Sequence, residues 1–217
     1  LADVYAAACK AHGINVTTSA AHEDGKADYA SEVATLASAG GDAVAVIGYL
    51  DQGGKGIIQG SLDSGAFDTF ILSDGMIGDS LTDAFGKSLN KSFGSLPGST
   101  GKGAGVFAKV AEAAGIDPSG PYTGESYDAA ALIVLAMQAA GSADRKGIAD
   151  NVMAVANGPG KKIYPGQLKK ALDLLAKGKA VDYEGATGVT FTSVGEAEGS
   201  FLEKEIKGGK FKTKKQR

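Results

Sequence analysis

Two short apolar runs separated by a helical pattern constrain the fold of this chain most strongly. The runs are residues 42–47, DAVAVI, and residues 69–72, TFIL. Between them, Ile57, Ile58 and Leu62 recur at helical spacing in a glycine-rich stretch. A strand–helix–strand crossover is right-handed and places its two parallel strands in one sheet. We therefore predict an α/β fold with a parallel sheet flanked by helices.

Polar residues follow each apolar run at its C-terminal end. Gly48 and Tyr49 follow the first run, and Asp74 follows the second within a Ser-Asp-Gly sequence. Since ligands of open α/β sheets bind at this edge, we predict that Tyr49 and Asp74 contact a ligand. A carboxylate pairs with an ammonium group, while a phenol adds a hydrogen bond and its ring covers apolar atoms.

Two structural alternatives remain open for these residues. The sequence around Asp74 is also typical of a turn that caps the next helix. Tyr49 has the alternative of packing under the loop formed by residues 51–54, DQGG. Their joint placement at one sheet edge favours the ligand-binding interpretation.

The composition excludes several classes of function. With 43% hydrophobic and 22% charged residues, the 217-residue chain has the balance of a globular protein. Its formal net charge of -3 gives no reason to expect a nucleic-acid partner. No window approaches the roughly 18 apolar residues that a transmembrane helix requires. Only residues 207–217 are strongly basic, and we predict a solvated, frayed terminus there.

Motifs for catalysis are missing from the sequence. The phosphate-loop pattern GxxxxGK[ST] fails at Lys87, because Leu81 stands where its first glycine belongs. The single cysteine, Cys9, falls in a helical apolar pattern and is predicted to pack rather than to react. His12 and His22 lack the spacing of a zinc pair, so we predict surface or helix-end positions for both. We therefore predict no enzyme, no metal site and no cofactor.

Apolar periodicity, glycines and a capping residue divide the rest of the N-terminal half into predicted helices and strands. A helical pattern from Leu1 ends at Gly13, and the β-branched residues 14–19, INVTTS, predict a strand. Asp28 is predicted to cap the next helix, which a glycine pair at its far end terminates. This alternation of helices and strands is typical of a parallel sheet with helices on its faces.

The C-terminal half has a different pattern. Residues 94–103, GSLPGSTGKG, are typical of a loop, and helical patterns follow with no clear strand before Asp182. Strand patterns return at residues 189–191 and 201–206, and the glycine pair after the latter predicts a tight turn. A helical block without a sheet of its own needs a partner surface.

Three segments of the chain resemble a known family. They are residues 27–76, which end in FILSDGM, residues 117–142, which begin DPSGPYTGESYD, and residues 183–211, which begin YEGATGVTF. The chain is similar to the type I periplasmic substrate-binding proteins of ABC importers, and most of all to their branched-chain amino acid group. This resemblance implies two α/β lobes that close over a ligand like a hinged trap.

The resemblance also implies roles for three residues. Asp74 would hold the ligand ammonium group, Tyr49 would follow the preceding strand at the cleft, and Tyr122 would line the cleft with its ring. Asp74 stands where the best-known members have glutamate, and its shorter side chain withdraws the charge by about one methylene. The resemblance therefore leaves the size and identity of the ligand open.

A division of the chain follows from the same resemblance. Residues 1–95 would form the α/β core of the second lobe, residues 96–197 a mostly helical segment that packs on the first lobe, and residues 198–217 strands that return to the second lobe. The first lobe and a secretion signal would precede Leu1. Without that lobe, some apolar helix residues are expected to form an exposed patch, namely Val134, Leu135, Leu168 and Leu172.

The function implied is that of a periplasmic, extracytoplasmic receptor. It would capture a small amino acid with an aliphatic or branched side chain and deliver it to the permease of an ABC transporter, without catalysis. One alternative is a receptor of the same family for an amide, urea or an aromatic acid. Another is the effector-binding domain of a transcriptional regulator, which would need a DNA-binding headpiece ahead of Leu1.

Overall fold

The structure is a computed structural model that describes all 217 residues. The chain divides into two compact units. The first unit contains Leu1–Leu96 and Glu203–Lys215, and the second contains Pro97–Leu202 and Gln216–Arg217. The assignment of these segments to lobes of a larger protein stays a prediction.

The first unit is built around a mainly parallel sheet. Strand β1 (Val44–Val46) pairs with β2 (Phe70–Leu72), and β2 pairs with β3 (Phe93–Pro97), both in parallel. Strands β8 (Phe201–Ile206) and β9 (Phe211–Gln216) complete a five-stranded sheet with the order β1-β2-β3-β8-β9. The predicted α/β fold with helices against a parallel sheet is confirmed.

Four helices accompany this sheet. They are α1 (Ala2–Ala11), α2 (Ala30–Ala39), α3 (Lys55–Ser64) and α4 (Asp79–Phe85), the last followed by a 3-10 turn at Gly86–Leu89. Helix α3 forms the predicted crossover between β1 and β2 and buries Ile57 and Ile58. The N-cap predicted at Asp28 is wrong by one residue: Tyr29 takes that position, and Asp28, directly before it, accepts a hydrogen bond from the Ala30 N–H at 3.0 Å.

The strand predicted for residues 14–19 is wrong. This segment makes no strand ladder in the structure, and Ile14 and Val16 are exposed. The Thr17 hydroxyl ties it to the neighbouring turn through a hydrogen bond to the Gly40 carbonyl at 2.8 Å. β-Branched residues fit a sheet well, but a strand also needs a neighbouring strand that takes up its backbone groups.

The predicted start of the loop at residue 94 is wrong, because strand β3 continues to Pro97. Gly94 lies inside β3, opposite Leu72 of β2. A Cβ at position 94 would collide with the Leu72 carbonyl oxygen, so a glycine is needed where the strands approach so closely. A glycine that we interpreted as a loop signal is thus a close-packing residue.

The frayed terminus predicted for residues 207–217 is also wrong. Strand β9 pairs in the sheet, and the predicted glycine turn before it is confirmed by positive φ angles of 66° at Gly208 and 74° at Gly209. Lys214 pairs with Glu203 at 3.2 Å across the β8–β9 hairpin. Strand β9 lies at the edge of the sheet, where lysines oppose pairing with another chain.

The second unit has four helices and two small sheets of two strands each. The helices are α5 (Lys102–Ala113), α6 (Thr123–Ala140), α7 (Arg145–Ala156) and α8 (Leu168–Leu175). Strands β4 (Lys161–Ile163) and β5 (Val181–Tyr183) pair in parallel, while β6 (Thr190–Phe191) and β7 (Ala197–Glu198) pair antiparallel. Strand β4 falls in the region where we expected no strand.

The exposed patch expected on these helices is wrong, because the β4–β5 sheet lies against them. Leu135 is fully buried, and Leu168 and Leu172 pack against the same core cluster beside β4 and β5. Of the four residues, only Val134 is exposed, at 38%. The expectation failed because the helices α6, α7 and α8 cover the β4–β5 pair, and no strand pattern in the sequence indicated β4.

The core of the second unit contains one buried carboxylate. Asp128 accepts hydrogen bonds from the Tyr183 hydroxyl, from the Ala186 N–H, and from both the N–H and the hydroxyl of Thr187, at 2.8 to 3.0 Å. Burial raises the pKa of Tyr183, and the neighbouring Asp128 charge raises it further. A buried charge is tolerated when donors surround it, so Asp128 is a structural residue that fixes the chain after β5 on helix α6.

Candidate functional site

The candidate site lies at the carboxyl edge of the β1–β2 pair in the first unit. The parallel register sets Val46 opposite Leu72. The Ser73 N–H donates to the Val46 carbonyl at 3.2 Å, which carries the pairing one step beyond the strands. The chain segments that contain Tyr49 and Asp74 therefore leave the sheet side by side, as the sequence predicted.

Ser73 holds these two segments together. Its hydroxyl oxygen accepts a hydrogen bond from the Gly48 N–H, with an O–N distance of 3.3 Å. The same hydroxyl donates to the Gly48 carbonyl oxygen, also at 3.3 Å. The side chain thus satisfies backbone groups that the end of the β ladder leaves unpaired. The sequence pattern indicated only a turn at Ser73, because a contact with a residue 25 positions away leaves no local signal.

Tyr49 presents its ring at this edge. Its side chain is 63% exposed, so the alternative in which it packs under the following loop is wrong. Its carbonyl oxygen accepts hydrogen bonds from the N–H groups of Gln52 at 3.3 Å and Gly54 at 3.1 Å, which close the turn Leu50–Gly54. The backbone of Tyr49 thus anchors the loop, while its phenol ring is exposed to solvent.

Gly75 allows the two segments to touch. A Cβ at this position would lie 2.8 Å from Cδ1 of Tyr49 and 2.5 Å from the Gly48 carbonyl oxygen. Any larger residue would push the Tyr49 ring away from the segment of Asp74. The glycine in the Ser-Asp-Gly sequence therefore serves a close approach as well as a turn.

Asp74 begins a short 3-10 turn, Asp74–Met76, and is half-buried. Its Oδ1 accepts the Gly75 N–H at 2.9 Å, and its carbonyl oxygen accepts the Ile77 N–H at 3.0 Å. The fully buried side chain of Met76 anchors this turn in the core. The turn predicted as the alternative for Asp74 is present and holds the carboxylate at the same edge as Tyr49. The capping of the next helix is wrong, because α4 has Gly78 at its N-cap and no side-chain cap.

Tyr122 belongs to the second unit and is described there by itself. It stands directly before helix α6 in the left-handed conformation, with φ 59° and ψ 10°, and its side chain is exposed. A non-glycine residue with positive φ is uncommon and points to a local constraint. Its contribution to a ligand cleft stays a prediction.

His22 also belongs to this edge, although no pattern in the sequence placed it there. Its side chain is only 16% exposed, so the predicted surface position is wrong. A Cβ at Gly48 would lie 3.3 Å from Cε1 of the imidazole, and a Cβ at Gly53 would lie 2.8 Å from its Cδ2. The ring thus packs on the segment that carries Tyr49. Its acidic neighbours in sequence suggested a solvated loop instead.

No helix has both the length and the apolar character needed to cross a membrane. No group of three or more His, Cys, Asp or Glu side chains is arranged to hold a metal ion.

Comparison with solved structures identifies the architecture. A periplasmic binding protein type 1 from Bordetella pertussis Tohama I matches 98% of this chain and 56% of its own, with a TM-score of 0.70 and 21% identity. The leucine-binding protein LivK from Thermotoga maritima matches 88% of this chain and 49% of its own, with a TM-score of 0.65 and 20% identity. The chain has the fold of type I periplasmic binding proteins.

Further comparisons agree with this fold. An ABC transporter substrate-binding protein from Desulfitobacterium hafniense covers 98% of the chain with a TM-score of 0.57 and 18% identity. The chain spans 49% to 56% of the length of these three periplasmic-binding folds. No protein-family model matches the sequence.

One curated relative matches in sequence. The chemotactic signal transduction system substrate-binding protein BasB of Halobacterium salinarum is 39% identical over 71 residues. This stretch is 33% of the present chain and 17% of BasB.

Proposed function

We propose that the chain is the ligand-binding part of an extracytoplasmic receptor that captures a small amino acid and delivers it to the permease of an ABC transporter. The observation that carries the proposal is the meeting of Tyr49 and Asp74 at the carboxyl edge of a parallel sheet in a type I periplasmic-binding fold. In such sheets this edge is where ligands bind.

The chemistry of the edge favours a ligand with an ammonium group and an apolar side chain. The Asp74 carboxylate provides a charge-assisted hydrogen bond to the ammonium group. The exposed ring of Tyr49 provides an apolar surface and one hydroxyl at its tip. Branched-chain and other aliphatic amino acids combine both features, which favours them over amides, urea or aromatic acids.

The proposal includes a second lobe contributed by other residues of the same protein. The chain spans about half the length of the solved structures that share its fold, which supports the proposed second lobe. That lobe would bind the ligand carboxylate, and closure of the two lobes would follow because the ligand has contacts in both.

Calorimetric titration of the complete receptor tests this function. The ligands are L-leucine, L-valine, L-alanine, 4-methylpentanoate, acetamide, urea and benzoate. We expect binding of an aliphatic amino acid, and Asp74→Asn should weaken it about 10- to 100-fold, because a hydrogen bond to a charged group is lost. The affinity for 4-methylpentanoate, which lacks the ammonium group, should not fall with this substitution.

Asp51→Asn is the matched control. It removes the same charge two residues after Tyr49, at an exposed carboxylate that pairs with Lys55 at 2.8 Å. We expect its effect on affinity to stay below about twofold, since exposed ion pairs contribute little. Equal amino acid affinity in the unmodified receptor and Asp74→Asn would contradict the assigned contact, and binding of benzoate or urea alone would contradict the ligand class.

The sequence match to BasB favours a second candidate function, in which the loaded receptor signals to a chemotaxis system. Both functions use the same ligand site. Deletion of the gene separates them: loss of radiolabelled amino acid uptake indicates transport, whereas loss of the swarming response to that amino acid with uptake intact indicates signalling.

A further inference from the structure

The loop that follows Tyr49 is irregular. The turn Leu50–Gly54 is closed by two backbone hydrogen bonds to the Tyr49 carbonyl, and Gln52 and Gly53 depart from helical geometry. The ion pair between Asp51 and Lys55 is exposed and contributes little. Besides the Ser73 bridge to Gly48 and the close approach of Gly75, the position of Tyr49 therefore depends on what packs against this loop.

Two rings pack against the loop from outside. The imidazole of His22 and the phenol of Tyr29 form an edge-on pair, with ring centroids 5.8 Å apart and an interplanar angle of 76°. Tyr29 is fixed in a core cluster with Val33 and Ile57. Its hydroxyl donates to the Glu23 carbonyl at 3.2 Å and so holds the backbone next to His22.

Glycines make room for this pair. A Cβ at Gly53 would lie 2.7 Å from the Tyr29 hydroxyl oxygen and 2.8 Å from Cδ2 of His22, and a Cβ at Gly56 would lie 2.6 Å from the Tyr29 ring. Gly48 gives His22 similar access immediately before Tyr49. The rings therefore meet this part of the chain at glycines, which carry no side chains.

The other side of the loop rests on Met76. A Cβ at Gly54 would collide with the thioether of this fully buried methionine, which belongs to the turn of Asp74. The loop is therefore clamped between the rings of His22 and Tyr29 on one side and the turn of Asp74 on the other. Removal of one ring leaves a gap into which the loop relaxes.

We infer that His22 is a positioning residue for the ligand site: its imidazole holds the loop after Tyr49, and so fixes the phenol relative to Asp74. The inference rests on the proposed function for its consequence in binding. The geometric part stands without a ligand, so the two are tested separately.

The ligand-free test uses fluorescence. Since the chain contains no tryptophan, Tyr49→Trp introduces a single indole after β1, which can be excited selectively over the remaining tyrosines. In that background we expect His22→Ala to lower the fluorescence anisotropy and the rotational correlation time of the indole under native conditions. His22→Phe retains a ring against Gly48 and Gly53 and should restore both values.

The chain offers a matched control in its other histidine. His12 is exposed at the end of α1, and His12→Ala should leave the anisotropy unchanged. Urea unfolding of each variant shows whether the first unit remains folded, so a local change is separated from global loss of structure. Unchanged anisotropy in His22→Ala, or no recovery in His22→Phe, would overturn the inference.

The binding test is a double-mutant cycle in the complete receptor with the tightest amino acid of the calorimetric panel. His22→Ala should weaken binding about fivefold, and it should have no further effect in a Tyr49→Ala background, because it acts through that ring. An equal loss in both backgrounds would overturn positioning through Tyr49. If no amino acid binds, the proposed function fails while the fluorescence test still decides the positioning role.

Discussion

Two aspartates in the two units of this molecule have opposite surroundings. Asp128 in the second unit is 3% exposed and accepts hydrogen bonds from Tyr183, Ala186 and Thr187. Asp74 in the first unit is half-buried at a sheet edge beside the exposed ring of Tyr49. The same residue type therefore stabilises a core in one unit and faces a candidate ligand site in the other.

The difference shows how burial decides what a carboxylate does. A fully buried charge requires donors from the protein, and its removal leaves several buried polar groups unsatisfied. A carboxylate at an accessible edge keeps part of its surface in contact with solvent. Substitution of the two residues should consequently separate stability from binding.

The largest expected effect is on stability, in Asp128→Ala. We expect the free energy of unfolding to fall by about 4 kcal/mol, since the donors around the carboxylate lose their acceptor while they remain buried. Asp74→Ala is the matched change in the first unit and should reduce it by about 1 kcal/mol, because the hydrogen bond from the Gly75 N–H is lost at an edge that water reaches. Urea unfolding of both variants measures the difference, and similar losses would remove the contrast between the two aspartates.

The next prediction compares the stability effects of substitutions at two adjacent residues of helix α6. Leu135 is fully buried, and Leu135→Ala should lower the free energy of unfolding by about 3 kcal/mol through lost burial and a cavity. Val134 is exposed, and Val134→Ala should change it by about 0.5 kcal/mol or less. A large effect at Val134 and a small one at Leu135 would restore the exposed patch that the sequence suggested and would argue against a self-contained core in the second unit.

The smallest effect concerns a third kind of carboxylate, an ion-paired one in the first unit. The hydrogen bond from Lys26 at 2.5 Å is the main cause that lowers the pKa of Glu32 to about 2, and the Ser31 hydroxyl adds to it. We expect Lys26→Met to raise this pKa toward its ordinary value of 4.5, and Ser31→Ala to raise it less. NMR titration of the Glu32 carboxyl carbon measures both shifts.

The sign of the accompanying pH dependence follows from the lowered pKa. Glu32 is more acidic in the folded chain, so its ion pair stabilises the fold above about pH 4.5, and this contribution is lost as the pH falls toward about 2. Lys26→Met should flatten the acid limb of the stability curve in that window. An unchanged carboxyl pKa in this variant would show that Lys26 does not hold Glu32 in solution.

Two segments show where prediction from the sequence succeeds and where it fails. Residues 14–19 are rich in β-branched side chains but form no ladder, whereas β3 contains Gly94 and does. Strand formation depends on a neighbour that takes up the backbone hydrogen bonds, and Gly94 has one in Leu72. Composition along one segment does not contain that information.

The sequence by itself determined the crossover from β1 through α3 to β2, and with it the arrival of Tyr49 and Asp74 at one edge. These features follow from local periodicity and from the fixed handedness of the crossover. Only the tertiary structure decided that Ser73 bridges to Gly48, that His22 supports the loop after Tyr49, and that Asp128 is buried. Such contacts join residues 25 to 59 positions apart, and their energies depend on packing and donors that adjacent residues do not specify.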